Sequence, residues 1–516
     1  MSLRQLVRIV WRCLELFWEL GPVLLTWPLL RTPLRAHWLW LLVRTLERCG
    51  PAGIKWGQWA STRYDLFEDD ICDTLAALTN SAPAHSYAHT ERLVERELGQ
   101  PLSELFSEFS AVPLASGSIG QVHLATLKAD RDSFPAGLPV AVKVQHPNLA
   151  ANLALDMAIL RGAAELVGSF HKSGVSVSDT VRQFATNFYM QLDFRDEAEN
   201  LRRFNTAFGS SFWAAVVSFP RPLDGMVSEH VLVETFEAGE SVADYLGRRA
   251  APEPEAGEAR PSGATSGAKL KRQLSGGQLS GAGGAAGGSG AARGVGAAVA
   301  GVDPNRRADD EESEDLPKSI ALCGVQSYLK MLIFDNFIHA DLHPGNVLVR
   351  VEEVGYLARL QRYVLLGQGS ARVPHIVFLD AGLAAQFDPS LYSNVQEFFG
   401  SIIQHDGPAF GRAVLGLSPS QPYVADQDAF VSEVAVKMAE MKAEMDRGEG
   451  RAGDNIRSYM ESVRAHHVTL DPTVMVALMS MMVLEGWQFR LDPNVSIVGS
   501  IETQLNRRSS IMGWFM

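Results

Sequence analysis

Three stretches of the chain carry side chains suited to handling a phosphoryl group. His339-Ala340-Asp341-Leu342-His343-Pro344-Gly345-Asn346 puts a carboxylate and, five residues on, a carboxamide in one loop. Asp341 suits a residue that orients or deprotonates an acceptor hydroxyl. Asn346 suits a ligand of Mg²⁺, a hard cation that takes oxygen donors. In Leu379-Asp380-Ala381-Gly382, Asp380 ends an apolar strand and precedes a flexible glycine, which fits a second metal ligand. In Val140-Ala141-Val142-Lys143, alternation puts Lys143 on the face opposite Val142 and Val144, where its ammonium can hold phosphates. A competing reading joins His339, Asp341 and His343 as a transition-metal cluster, but no further His or carboxylate motif accompanies them.

Taken in order, these pieces match the parts of a phosphoryl-transfer enzyme of the protein-kinase type. Two parts remain to be assigned. The small-residue turn Leu114-Ala115-Ser116-Gly117-Ser118-Ile119-Gly120 would let backbone approach phosphates, although it is not a Gly-x-Gly-x-x-Gly loop. The lysine needs a helical acid, and Phe194-Arg195-Asp196-Glu197-Ala198-Glu199-Asn200 offers Glu197 first and Glu199 second. A strand at 231–236 would lead into the hinge, so that backbone near Glu234 and Phe236 meets the adenine.

The elements that must position these residues are legible in outline. Helical patterning covers 86–109, 150–170 and 179–206; β-like runs follow at 113–127, 138–145 and 231–236. Beyond a low-complexity run, 319–337 is helical, two strand-and-loop segments carry the loop motifs, residues 351–374 form an added hairpin or loop, and 390–489 is mostly helical. Strands first and helices afterwards predict an α+β, two-lobed kinase-like fold with an N-terminal helical extension. The expected divisions are 1–48, a basic amphipathic, targeting or membrane-associated segment; 49–112, the helical extension; 113–247, the first lobe and hinge; 248–318, a disordered insertion; 319–493, the second lobe; and 494–516, a tail. The insertion is rich in Gly and Ala and ends in an acidic block, so it cannot bury enough apolar surface to offset its ordering entropy.

The formal net charge of −13 argues against a protein built to grip nucleic acid. The beginning runs the other way. Arg4, Arg8, Arg12, Arg31, Arg35, Arg44 and Arg48 stand against Glu15, Glu19 and Glu47, with five of the ten tryptophans at Trp11, Trp18, Trp27, Trp38 and Trp40. Glu15 and Glu19 interrupt the apolar stretch Leu14 to Leu30, and Pro22 and Pro28 should break its helix, so an interfacial or organelle-targeting helix suits it better than a membrane span. A helical hairpin packed on the main body is the alternative. The apolar stretch Val474 to Val483 reads as a core helix. Cys13, Cys49, Cys72 and Cys323 match neither a disulfide framework nor a zinc site, which predicts free thiols.

Several of these segments together resemble the UbiB family, the aarF-domain-containing atypical kinases linked to ubiquinone and other prenyl-quinone metabolism. Lys55-Trp56-Gly57-Gln58 is similar to its K-x-G-Q motif, and Pro113 to His123 to its Ala-rich loop. V-A-V-K-V-Q-H-P, the acidic segment 193–200, H-A-D-L-H-P-G-N and L-D-A-G follow in the family's order, most like its mitochondrial second-type branch. The resemblance implies ATP and Mg²⁺ as cofactors, a role in quinone-lipid metabolism at an organelle membrane, and quinone precursors, other lipids or quinone-biosynthesis proteins as partners. It implies a mitochondrial location, with the chloroplast as alternative. It also implies that the K-x-G-Q helices fold over the cleft, with Lys55 and Gln58 near Asp193. Here Gln191-Leu192-Asp193 stands where the family has two carboxylates, and Gly117 where it usually has an alanine. Two other functions use related parts: a small-molecule phosphotransferase of the aminoglycoside or choline kinase type, and a nucleotide-binding pseudoenzyme that handles lipids.

Overall fold

In the computed structural model, residues 3–250, 316–353 and 372–495 are described, apart from short breaks within these spans. The bulk of the low-complexity insertion, the centre of the 351–374 segment and nearly all of the tail lie outside the described residues.

The first lobe is an antiparallel sheet in the order β1-β3-β4-β7-β6, with β2 paired to β3. Its strands are β1 (Phe106–Phe109), β2 (Ala115–Ser116), β3 (Gly120–Leu127), β4 (Pro139–Gln145), β6 (Pro222–Val227) and β7 (Val231–Thr235). Strand alternation divides β4 cleanly. Val140, Val142 and Val144 enter a core shared with Leu93 and Val94 of helix α5 (Tyr87–Leu98) and with Leu105 and Phe106, so Lys143 emerges on the other face. Phe106–Phe109 is therefore strand where the pattern reads helix: only a short helix, α6 (Leu102–Leu105), precedes it, and pairing with β3 decides the rest. Tertiary pairing overrides local propensity in so short a run.

The second lobe is built on α11 (Leu316–Leu329), which is buried on all sides and ends in a π-helical turn, Lys330–Phe334. Against it pack α16 (Pro472–Leu491) and a sheet ordered β5-β11-β10-β8, from β5 (Val217–Ser218), β8 (Glu240–Ser241), β10 (Val347–Glu353) and β11 (Arg372–Phe378). β10 and β11 pair from Val347↔Phe378 to Glu353↔Arg372, so both ends of the 351–374 segment form a hairpin stem. β9 (Ile338–His339) pairs with β12 (Ala384–Ala385). Helices α12 (Pro389–Gln404), α13 (Gly407–Gly416), α14 (Gln427–Asp446) and α15 (Ala452–Ala465) complete the lobe. Two-lobed α+β architecture with helices concentrated at the end of the chain is what strand and helix order predicted.

Four helices precede the first lobe: α1 (Leu3–Leu25), α2 (Arg35–Arg48), α3 (Pro51–Ser61) and α4 (Asp69–Leu75). Pro22 does not break α1, which runs three residues further before a 3-10 turn, Trp27–Arg31. A proline removes one N–H and crowds one carbonyl, and on this solvent-facing helix the chain tolerates both. Trp38 and Leu39 of α2 pack on Val23, while Arg12 reaches Asp156 of α7 (Leu149–Phe170) at 2.8 Å and the Cys49 carbonyl at 2.8 Å. The hairpin is thus fastened to the body. Its other face is not: Val7, Val10, Trp11, Leu14, Phe17 and Trp18, spaced three and four apart, are all more than half exposed. By length and hydropathy Val10–Arg31 also suffices to cross a membrane, as does α16, which is mostly buried core.

Candidate active site

Lys143 projects from β4 between carboxylates of two other elements. Glu197, on α9 (Phe194–Phe208), makes a close ion pair with its Nζ, and Glu234 Oε1, on β7, stands 3.3 Å away. Register explains the second contact. Lys143 pairs with Leu232, so Glu234, two residues along β7, shares its face of the sheet. Burial alone would lower the Lys143 ammonium, but Glu197, Glu234 and Asp380 outweigh it and hold it well above its ordinary value. For Glu197 and Glu234 burial dominates and lifts both above the usual carboxylate range, while Lys143 pulls them back. One ammonium does not neutralise three acids, so we assign any retained proton to the Glu197/Glu234 pair.

Asp380 behaves differently. It follows β11 and is exposed to solvent, with protein crowded around it. Burial would raise it, but Lys143 first, then Lys55 and the Gly382 N–H, bring it below its ordinary value, so it stays ionised. Its φ of +52° is a left-handed conformation that costs a non-glycine residue about 1–2 kcal/mol. The Gly382 N–H, 3.3 Å from Oδ1, offers partial compensation. A side chain at Gly382 would sit 3.1 Å from that same oxygen and 3.8 Å from Glu197, so the glycine keeps the space between the two acids open.

The loop carrying Asp341 is held from three sides. His339 is wholly buried beside Phe204 and Phe378; its Nε2–H donates to the Leu379 carbonyl at 2.9 Å and its Nδ1 accepts from the Asp341 N–H at 3.3 Å. Burial keeps this imidazole below its ordinary pKa. Both ring nitrogens are therefore occupied, and among the described residues no group of His, Cys and acids is arranged to hold a metal, which removes the transition-metal reading of His339, Asp341 and His343. Asn346 Nδ2 donates to Asp341 Oδ2 at 3.0 Å, and the Trp487 indole N–H of α16 donates to Leu342 O at 3.3 Å.

Of the turn expected to meet phosphates, Ala115 and Ser116 form β2, Gly117 and Ser118 lie at its tip, and β3 begins at Gly120. Gly120 has a steric reason: a Cβ there would lie 2.5 Å from Val144 O. Phe236 does not offer its N–H to a base, because Pro139 O takes it at 3.2 Å. What Glu234 brings is its carboxylate, not its backbone. Asp193 caps α9 and is held by Arg195 at 2.6–3.1 Å, which keeps it below the ordinary carboxylate range. The Lys55 charge helps to hold Asp380 ionised, and Gln58 donates to Leu78 O at 3.2 Å. A local partner two residues away wins Asp193 over one on a distant helix.

The arrangement can hold a polyanion against Lys143 and a hard cation against Asp380 and Asn346. Two buried polar atoms, Ser116 Oγ and Glu234 Oε2, have no hydrogen-bond partner in the structure, which accords with a site shaped for a polar ligand.

The ABC1 atypical kinase-like domain matches residues 77–255 and 297–412 of the chain. The chain belongs to that family. The chain is similar to the probable serine/threonine-protein kinase abkC of Dictyostelium discoideum, 26% identical across 96% of this chain and 68% of its own. A mitochondrial ABC1 family protein of Saccharomyces cerevisiae is 25% identical across 90% of this chain and 67% of its own. An uncharacterized chloroplastic aarF domain-containing kinase of Arabidopsis thaliana is 24% identical across 90% of this chain and 53% of its own. The ABC1 match bears out the resemblance to the UbiB, aarF-domain kinases, and it includes β4, α9, β7 and the Asp341 and Asp380 loops. The mitochondrial ABC1 relatives support a mitochondrial location, and the chloroplastic one supports the alternative.

Proposed function

We propose that this ABC1 protein is an ATP- and Mg²⁺-binding atypical kinase or ATPase. The observation that carries the reading is the ionised, conformationally strained Asp380 facing a lysine held by two buried acids. Lys143 would hold the α and β phosphates, with Glu197 and Glu234 fixing its position. Ala115, Ser116, Gly117 and Ser118 would line the phosphate side, and Ser116 Oγ is an unpaired group for a phosphate oxygen. Asp380 and Asn346 are the oxygen donors for the cation; because the Asn346 nitrogen is committed to Asp341, its oxygen is the atom offered. Bound Mg²⁺ would supply charge neutralisation of the phosphates. Asp341, held by Asn346 and by the His339 ring, would orient the acceptor or a water.

Lys55, whose charge helps to hold Asp380 ionised, accords with an ATPase or lipid-directed enzyme in which α3 takes part in the site. The exposed apolar face of α1, flanked by arginines, fits a membrane surface, and quinone precursors or other lipids are the substrate class that location would supply. We place this activity at a mitochondrial membrane in support of ubiquinone metabolism. The test is nucleotide hydrolysis by the full chain with and without Mg²⁺ and anionic liposomes, wild type against Asp341→Asn. Mg²⁺-dependent turnover that falls a hundredfold or more in the variant is expected, the usual size of acid–base catalysis. No turnover in any condition would refute the enzyme reading, and turnover unchanged by Asp341→Asn would assign the protein to the lipid-handling pseudoenzymes.

A further inference from the structure

Behind the phosphate-side turn, away from the acids described above, three imidazoles are linked through a threonine and a glutamine. His146, which follows β4, grips the turn twice: its backbone N–H donates to Ile119 O at 2.9 Å and its Nε2 lies 2.8 Å from Gly117 O. Its Nδ1 is 2.7 Å from His85 Nδ1. His85 Nε2 is 3.0 Å from the Thr90 hydroxyl of α5, which is also 3.2 Å from Gln121 Nε2 on β3. Gln121 Nε2 lies 2.8 Å from His123 Nε2, and His123 Nδ1 2.8 Å from Ser110 O.

The ends of this chain fix its outer protons. A carbonyl only accepts, so His146 donates from Nε2 to Gly117 and His123 donates from Nδ1 to Ser110. Each neutral ring then has one nitrogen left to accept. Gln121 is oriented independently, since its Oε1 receives the His85 N–H at 2.9 Å; its Nε2 must therefore donate to His123 and Thr90. His85 donates from Nδ1 to His146 and accepts the Thr90 hydroxyl proton at Nε2. One set of tautomers with His85 and His146 both neutral satisfies these contacts; the Thr90 hydroxyl, 3.3 Å from His123 Nε2 as well, has one proton and gives it to His85 in this set. One added proton can be shared, with His85 shifting its own proton to Nε2 and Thr90 turning its hydroxyl to His123, but protons on both rings would set two N–H groups against each other at 2.7 Å.

We propose that His146, His85 and Thr90 are positioning residues for the turn Ala115–Gly120, holding it in the shape that meets a nucleotide, and that acid releases it by breaking this relay. The proposal rests on the nucleotide-binding reading of the turn. The titratable groups facing His85 are His146, His89 and His123, and His89 faces His146. His89 itself is turned to Gln145 O at 3.4 Å. Burial first and the neighbouring imidazoles second push His85 down to about 4, and burial likewise lowers His146 and His123. At neutral pH the relay is intact. Because the unfolded chain takes up these protons near pH ~6.5 and the folded one only lower, the order it confers is full above that pH and drains away below it.

Two readouts test this in the full-length protein. The first is amide hydrogen exchange of residues 115–122 without ligand; the second is the Kd for Mg·ATP, measured at pH 7.5 and 5.5. His146→Phe and Thr90→Val should speed exchange of the turn and weaken binding about tenfold at pH 7.5, the effect of one hydrogen bond lost. His146→Gln keeps an N–H donor that does not titrate, so it should restore both and flatten the loss on acidification. Leu93→Ala, a core change on the same helix, lowers stability without touching the relay and should leave the turn alone. Wild-type exchange in His146→Phe and Thr90→Val, or equal changes in Leu93→Ala, would overturn the proposal. Faster exchange in the relay variants, with no ATP bound by any form including wild type, would uphold the relay and refute the nucleotide reading.

Discussion

Lys143→Met removes the one ammonium that, among the described residues, pairs with Glu197 and Glu234, while keeping most of the side-chain volume. Lys143 is 13% exposed and its two glutamates about 5%, so solvent does little to relieve the loss. Breaking a buried pair by deleting one partner costs about 3–5 kcal/mol, set against a total stability of roughly 5–15 kcal/mol for a typical domain. Part of this is recovered by acid. Without the lysine, burial and mutual repulsion raise the acids still further, so the folded variant binds more protons than the unfolded chain. Its stability therefore falls as pH rises from the ordinary carboxylate range toward the raised values. Urea denaturation of wild type and variant at pH 5.5 and 7.5 should show a deficit of several kcal/mol that is smaller at the lower pH. Adding Glu197→Gln to Lys143→Met should restore stability relative to the single variant. A deficit below about 1 kcal/mol at pH 7.5, or a double variant less stable than the single one, would refute the reasoning.

Three further outcomes follow from single contacts. Gly120→Ala brings a Cβ to 2.5 Å from a strand carbonyl and should lower stability by about 1–3 kcal/mol in thermal unfolding while weakening nucleotide binding. Trp487→Phe keeps the packing but loses the hydrogen bond to Leu342 O; it should cost about 1 kcal/mol and increase amide exchange in the Asp341 loop. Asp193→Ala removes the cap of α9 and should cost about 1 kcal/mol in the same assay.

Much of this arrangement is legible in the sequence wherever spacing along the chain fixes the geometry. His339, Asp341 and Asn346 occupy one loop, so their types and intervals already imply their proximity. Lys143 is placed on its face by strand alternation alone. Glu197 is harder, being 54 residues from the lysine, and it emerges only from an acidic cluster in the expected order. The Glu234 side chain was not legible, because its face depends on the register of β7 against β4. Nor was the relay, whose histidines and threonine are spread along the chain and form no local pattern. The signal that could have revealed it is the concentration of His85, His89, His123 and His146 around the first strands. Pairing Asp193 with Lys55 overlooked Arg195, a nearer cation on the same helix turn. The exposed stripe of α1 was visible as periodicity, but continuation through Pro22 was not, since proline's cost depends on what surrounds it.

The central claim is that Asp380 and Lys143 together form a site for a metal-bound nucleotide. Calorimetric titration of ATP into the full-length protein, with Mg²⁺ and with a chelator in its place, tests it most directly. The account predicts saturable binding that weakens at least tenfold without Mg²⁺, and an Asp380→Asn variant that stays folded yet has lost this Mg²⁺ dependence. Absence of nucleotide binding by the wild type, or Mg²⁺-dependent binding unchanged in Asp380→Asn, would contradict it.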